Sequence, residues 1–109
     1  MDISERFLLR QLISNAERQG EALAKAIQHL ISEDETKFLK FVDGLYNFYE
    51  IMDSCQFIDF LILLEDAYYI PHLPEDVIFK TDKEKADAYI SGFMEAFFYA
   101  ALSVISNAD

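Results

Sequence analysis

The 109-residue sequence predicts an all-α protein, a single domain over residues 1–109 in which four helices form a bundle-like arrangement. Apolar residues recur at three- and four-residue steps along four long segments, and none keeps the two-residue alternation of a strand. Only three glycines and two prolines interrupt the chain, so that long helices can run unbroken. Sequences typical of helix starts precede two of these segments, at Ser32 and Thr81.

The first predicted helix runs from about Ser4 to Ile31. Ala16, Gly20 and Ala24 form a lane of small residues along it, which favours the close approach of a neighbouring helix. Gly20 is also a point where the helix could break in two, since glycine costs about 1 kcal/mol in a helix interior. The full apolar stripe is Leu9, Ile13, Ala16, Gly20, Ala24, Ile27 and Ile31.

The second helix is predicted from SEDE, residues 32–35, in which Ser32 caps the helix and Glu35 reaches back to it. It runs to about Met52. Its predicted core residues are Phe38, Val42, Leu45, Tyr49 and Met52.

The third helix is predicted over CQFIDFLILLEDAYY, residues 55–69, with Asp53 and Ser54 as cap residues and Gln56 three positions after Asp53. It is the most apolar of the four and therefore predicted to be the most central. Pro71 and Pro74 are expected to end it and to begin a proline-containing loop, residues 70–80, because proline cannot continue the helical hydrogen bonding.

The fourth helix is predicted from the capping box TDKE, residues 81–84, to about Ser106. Its main apolar stripe is Ala86, Tyr89, Ile90, Phe93, Phe97, Ala101 and Val104. A second apolar face predicts that this helix is sandwiched inside the fold or shared with another subunit. The residues of this predicted oligomer interface are Met94, Phe98, Leu102 and Ile105.

The charges are distributed unevenly. The net charge is −11, from 20 acids and 9 bases, and residues 41–79 hold eight acids with no lysine or arginine. Such a surface repels the phosphates of nucleic acids and of anionic membranes. It favours rapid encounter with a basic protein partner.

The acids of this segment are predicted to share the outward faces of the second and third helices with tyrosines. Tyrosine is common at binding hot spots, and surrounding acids would steer and orient a basic partner. An acidic face that serves only for solvation is the competing interpretation. The predicted partner-binding residues are Asp43, Tyr46, Glu50, Asp59, Asp66, Tyr69, Glu75 and Asp76.

Catalytic and metal-binding patterns are sparse. Glu50 and Asp53 have the Glu-x-x-Asp spacing with which some all-α nucleotide pyrophosphohydrolases hold Mg²⁺, and Glu65 or Asp66 could face them. One cysteine and two histidines do not make a zinc or di-iron ligand set. Cys55 is expected to be a buried structural thiol. The sequence thus predicts no cofactor, no metal and no catalytic residue.

The acids and the adjacent tyrosines near the end of the third helix resemble a feature of the immunity proteins of nuclease colicins. The resemblance covers about a dozen residues, departs in the longer third helix and finds no counterpart for the first helix. It implies that an acidic surface with a Tyr-Tyr pair blocks a basic toxin. The positions that would match are Asp66, Tyr68, Tyr69, Glu75 and Asp76. Phage inhibitors of host nucleases, including anti-CRISPR and antirestriction proteins, share the small, acidic and motif-poor profile, and some of them mimic DNA charge.

The sequence therefore predicts a cytoplasmic, non-enzymatic protein that occludes a basic surface on a nucleic-acid-handling enzyme. It predicts no direct contact with nucleic acid or membrane. A homo-oligomeric structural or adaptor bundle that pairs through its fourth helix, for example as a homodimer, is the alternative. The Mg²⁺-dependent hydrolase is the third hypothesis.

Overall fold

Four helices make up the fold in the computed structural model, which describes residues 2–28, 34–68, 70 and 83–107, the last four without their side chains. The helices are α1 (Ile3–Ala26), α2 (Glu35–Ile51), α3 (Ser54–Ala67) and α4 (Lys83–Asn107). No strand occurs in these ranges, and the predicted all-α, four-helix bundle-like fold is confirmed.

Short polar side chains fix the starts of the first three helices. Asp2 begins α1 by accepting a hydrogen bond from the backbone N–H of Glu5, at 2.8 Å. Asp53 and Gln56 form the reciprocal capping box of α3, as their spacing predicted. Thr81 and Asp82, from the predicted box before α4, lie outside the described residues.

Two helix ends differ from the sequence prediction. Asp34, not Ser32, caps α2, because SEDE contains a second capping residue whose carboxylate accepts from the N–H of Thr36 at 2.9 Å. α1 ends at Ala26 instead of Ile31. Its end tightens, with the N–H of Gln28 bonding the carbonyl three residues back, Lys25 O, at 3.2 Å.

The closest helix pair is α1 with α4, and we refer to this contact as the seam. A Cβ atom at Gly20 would overlap the carbonyl oxygen of Phe93 and lie 3.1 Å from the nitrogen of Phe97. A Cβ at Gly92 would lie 3.3 Å from Ile13 Cγ2. The small-residue lane therefore admits a neighbouring backbone, and Gly20 lies within an unbroken helix.

The seam corrects the prediction that α3 is the most central helix. α3 packs on one side of α4, and Leu63 in its middle is 68% exposed. α3 has more consecutive apolar residues than its contacts with other helices bury. α4, in contrast, uses different residues along its length to contact α1, α2 and α3.

Pairs of contacting residues give the helix directions. α2 and α3 run antiparallel, since Phe41 contacts Tyr68 at one end and Tyr49 contacts Phe57 at the other. Along the seam, Ile13 lies beside Gly92 and Gly20 beside Phe97, so residue numbers rise together and the two helices run in the same direction.

The core collects residues from every helix. The predicted stripe of α4 is confirmed for its described side chains, and Phe93 and Phe97 stack within it at a centroid distance of 6.5 Å. α1 contributes mainly its C-terminal half. The largest fully buried side chains are Phe38, Phe57, Phe93, Phe97, Leu23, Ile27 and Leu61.

Candidate binding surface

The predicted acids of α2 and α3 are exposed. Asp43 and Glu50 lie two turns apart on the outward face of α2, and Asp59 and Asp66 lie two turns apart on that of α3. The described residues 41–68 contain six acids and no lysine, arginine or histidine. Tyr69, Glu75 and Asp76 lie outside the described residues, so their predicted role has no structural description.

Tyr46 is partly exposed and touches the chain's own residues. Its ring packs edge-on against Phe98 of α4 at 5.3 Å, and Tyr49 lies beside it at 6.2 Å. A hydrogen bond to the Glu50 carboxylate, together with its charge, raises the pKa of Tyr46 above its usual value. Two predicted partner-binding residues, Tyr46 and Glu50, are thus brought together, with the tyrosine ring resting on α4.

An apolar strip runs along the outer side of the α2–α3 pair. Phe48 and Phe60 meet at a centroid distance of 4.9 Å across the two helices. Ile51 lies one turn beyond Phe48 and is 76% exposed, and Leu63 lies one turn beyond Phe60. Because the helices are antiparallel, Ile51 and Leu63 extend the aromatic pair at opposite ends.

Acids lie around this strip on both helices. Asp59 and Asp66 lie one turn before and one turn after Leu63 on α3, next to the strip. Asp43 and Glu50 lie further around the outward face of α2, on the side of that helix away from Phe48. A partly apolar centre within a charged rim is the usual anatomy of a protein-binding surface.

The predicted oligomer interface on α4 is largely used within the chain. Met94 is 3% exposed and belongs to the core, so it offers no surface to another subunit. Phe98 is half-buried against Tyr46 and Phe97. Leu102 is 62% exposed, whereas the side chain of Ile105 lies outside the described part of the chain.

A buried polar cluster joins α1, α3 and α4 in the interior of the protein. The Tyr89 hydroxyl of α4 hydrogen-bonds Gln19 of α1 and lies 3.4 Å from Glu65 Oε1 of α3. Glu65 is 2% exposed, and this burial raises the pKa of its carboxyl to about 7, although the bond with Tyr89 opposes the rise. Burial and the neighbouring Glu65 raise the pKa of Tyr89 as well.

A small open cleft of about 240 Å³ lies where the end of α2 meets α3 and α4. Its walls include Tyr49, Phe57 and Ile90, and a hydrogen bond from Ser54 to Asp87 lies among its lining residues.

The acids of the hydrolase hypothesis have other roles in the structure. Asp53 caps α3, Glu65 is buried against Tyr89, and Glu50 bonds Tyr46. In the described ranges, no three histidine, cysteine, aspartate or glutamate side chains come together as a metal site.

Cys55 is exposed, so the prediction of a buried thiol is wrong. The capping box at Asp53 starts α3 in a register that turns Phe57 and Ile58 inward and Cys55 outward.

Sequence reasoning missed the apolar strip and the buried cluster. Ile51 and Leu63 fall off the buried stripes of their helices, and that offset is the signal that could have identified the strip. Glu65 falls on the buried stripe with Ile58 and Leu61, and a carboxylate at such a position marks a buried polar group.

Comparisons with known proteins give no significant match to this chain. No protein-family model matches it, and no curated protein or solved structure is significantly similar to it. The resemblance to immunity proteins therefore depends only on the few residues named for it above. One of them, Tyr68, packs edge-on against Phe41 at a centroid distance of 5.9 Å. Within the described residues, no helix has the length and apolarity needed to cross a membrane.

Proposed function

We propose that this chain is a non-enzymatic binding protein that occludes a basic surface on a nucleic-acid-handling enzyme, in the manner of phage-type or immunity-type inhibitors. One observation carries the proposal. The outer side of α2 and α3 combines exposed acids with an apolar strip, and residues 41–68 contain no cationic side chain.

The mechanism is competition for cations. The carboxylates of Asp43, Glu50, Asp59 and Asp66 take the places of phosphates on the partner's lysines and arginines. The apolar strip excludes water at the centre of the contact. Because the exposed charges are screened by ions, binding weakens as salt concentration rises.

The test is a pull-down from the native host with the tagged chain, eluted by a salt gradient, with the partner identified by mass spectrometry. The expected result is one basic, nucleic-acid-binding protein, released at moderate salt. This protein should no longer be captured by a triple variant that carries Asp43→Asn, Asp59→Asn and Asp66→Asn.

The matched control removes the same charge elsewhere, by Glu5→Gln, Glu17→Gln and Glu95→Gln, all of which are exposed on α1 or α4. Equal retention of the partner by both triple variants would contradict a specific role for the α2–α3 surface, because net charge alone would then explain capture.

A homo-oligomeric structural or adaptor bundle is the second candidate, because Tyr99 and Leu102 are exposed one turn apart on α4. Its mark is a particle of twice 12.6 kDa in solution that persists in high salt. Leu102→Glu should dissociate it. A monomer at high protein concentration would rule this candidate out.

A further inference from the structure

The apolar strip carries information about the partner that charge alone does not. Its outer members, Ile51 and Leu63, are each one turn from the Phe48–Phe60 contact. At about 1.5 Å of rise per residue, two such turns extend for about 9 Å. That length matches the i, i+3 or i+4, and i+7 anchor residues of one helix face, which span about 10 Å.

The surroundings of the strip specify the rest of such a helix. Its anchors must be apolar, because Ile51 and Leu63 present aliphatic side chains to solvent on either side of two aromatic rings. Its flanks must be cationic, because Asp59 and Asp66 lie next to the strip on α3, and Asp43 and Glu50 lie further around the outward face of α2.

We infer that the α2–α3 strip is the docking site for a basic amphipathic helix of the partner, which lays its apolar face on the Ile51–Phe48–Phe60–Leu63 line and its lysines and arginines against the flanking acids. This inference depends on the proposed function for the existence of a basic partner. It adds the secondary structure and the apolar pattern of the segment that binds.

The test uses two synthetic lysine–leucine peptides of about 15 residues, the length at which helices become marginally stable in water. One has leucines at three- and four-residue steps on a single face. The other has the same composition with the leucines distributed around the helix. Binding of each fluorescently labelled peptide to the full chain is measured by anisotropy at low and high salt.

We expect the one-faced peptide to bind at least about tenfold more tightly than the scrambled one. Ile51→Ser and Leu63→Ser should each weaken it by about tenfold, as expected for the loss of one buried aliphatic side chain. Ile3→Ser and Leu8→Ser are the matched controls, since both residues are exposed outside the strip, and they should leave affinity unchanged. Thermal melting checks that all four variants are folded.

Equal binding of both peptides, with no effect of the strip variants and a strong effect of salt, would overturn the inference and leave a charge-driven version of the proposed function standing. Failure of both peptides to bind would also overturn it. The proposed function is judged separately, by the capture and loss of the native partner on the acid variant.

Discussion

The seam between α1 and α4 and the outer surface of α2 and α3 use apolar residues in opposite ways. At the seam, Phe93 and Phe97 are fully buried, and Gly20 lets two backbones meet. On the outer surface, Ile51 and Leu63 remain mostly exposed among acids. The difference teaches that the closest backbone packing lies along one helix pair, whereas the other pair both contributes to the core and keeps apolar side chains at the surface.

The largest difference between the two regions should appear when one phenylalanine from each is truncated. Phe93→Ala leaves a cavity in the core and should lower the free energy of unfolding by about 3–5 kcal/mol. Phe48→Ala removes a ring that is 38% exposed and one aromatic contact, and should cost about 2 kcal/mol. Urea denaturation followed by circular dichroism measures both. Equal losses would mean that the α2–α3 surface belongs to the core.

Two glycine substitutions sharpen the comparison at the backbone level. Gly20→Ala forces a methyl group against the Phe93 carbonyl and should destabilise the protein by up to about 3 kcal/mol, because backbone cannot move aside like a flexible side chain. Gly44→Ala, on α2, meets nothing within 4 Å and should stabilise it by about 0.5–1 kcal/mol through helix propensity. If thermal denaturation shows Gly20→Ala to be neutral or stabilising, the close approach at the seam is wrong.

The buried cluster that ties α3 to the seam gives a smaller, pH-dependent effect. The carboxyl of Glu65 has a pKa of about 7 in the folded protein, against 4.5 for an unperturbed glutamate, so the folded state binds more protons between these values. The contribution of Glu65 to the free energy of unfolding should therefore fall by about 2–3 kcal/mol as pH rises from 4.5 through 7, and should change little above pH 7.

Unfolding of the native chain and of Glu65→Gln, measured across this pH range, isolates the effect. The free energy of unfolding of Glu65→Gln should change little over the pH range in which that of the native chain falls. Glu95→Gln is the control, because Glu95 is exposed, and it should keep the native pH dependence. Parallel curves for the native chain and Glu65→Gln would show that Glu65 is not the responsible group.

Local pattern was sufficient for most of the secondary structure. Three- and four-residue spacing predicted four helices, and the Asp53–Gln56 pair predicted the start of α3, because capping involves only neighbouring residues. The lane of small residues also predicted a close helix neighbour. The prediction left open whether Gly20 breaks α1, and the continuous helix from Ile3 to Ala26 shows that it does not.

Partnership between helices depended on the tertiary structure. The apolar run of α3 predicted a central helix. Hydrophobicity alone does not determine which neighbouring helix covers a given side chain, and Leu63 remains exposed. The same reason explains Met94, predicted for an oligomer interface and found in the core. The exposure of Cys55 has a local cause, since the capping box at Asp53 sets the register that turns it outward.

The sequence by itself determined the helical class, the segment without lysine or arginine, and the exposed acids of α2 and α3, because composition and periodicity are local properties of the chain. The tertiary structure alone decided that Phe48 and Phe60 meet to form a strip and that Gln19, Glu65 and Tyr89 share one buried site. Those contacts join residues on different helices, and only the packing of the helices brings them within reach.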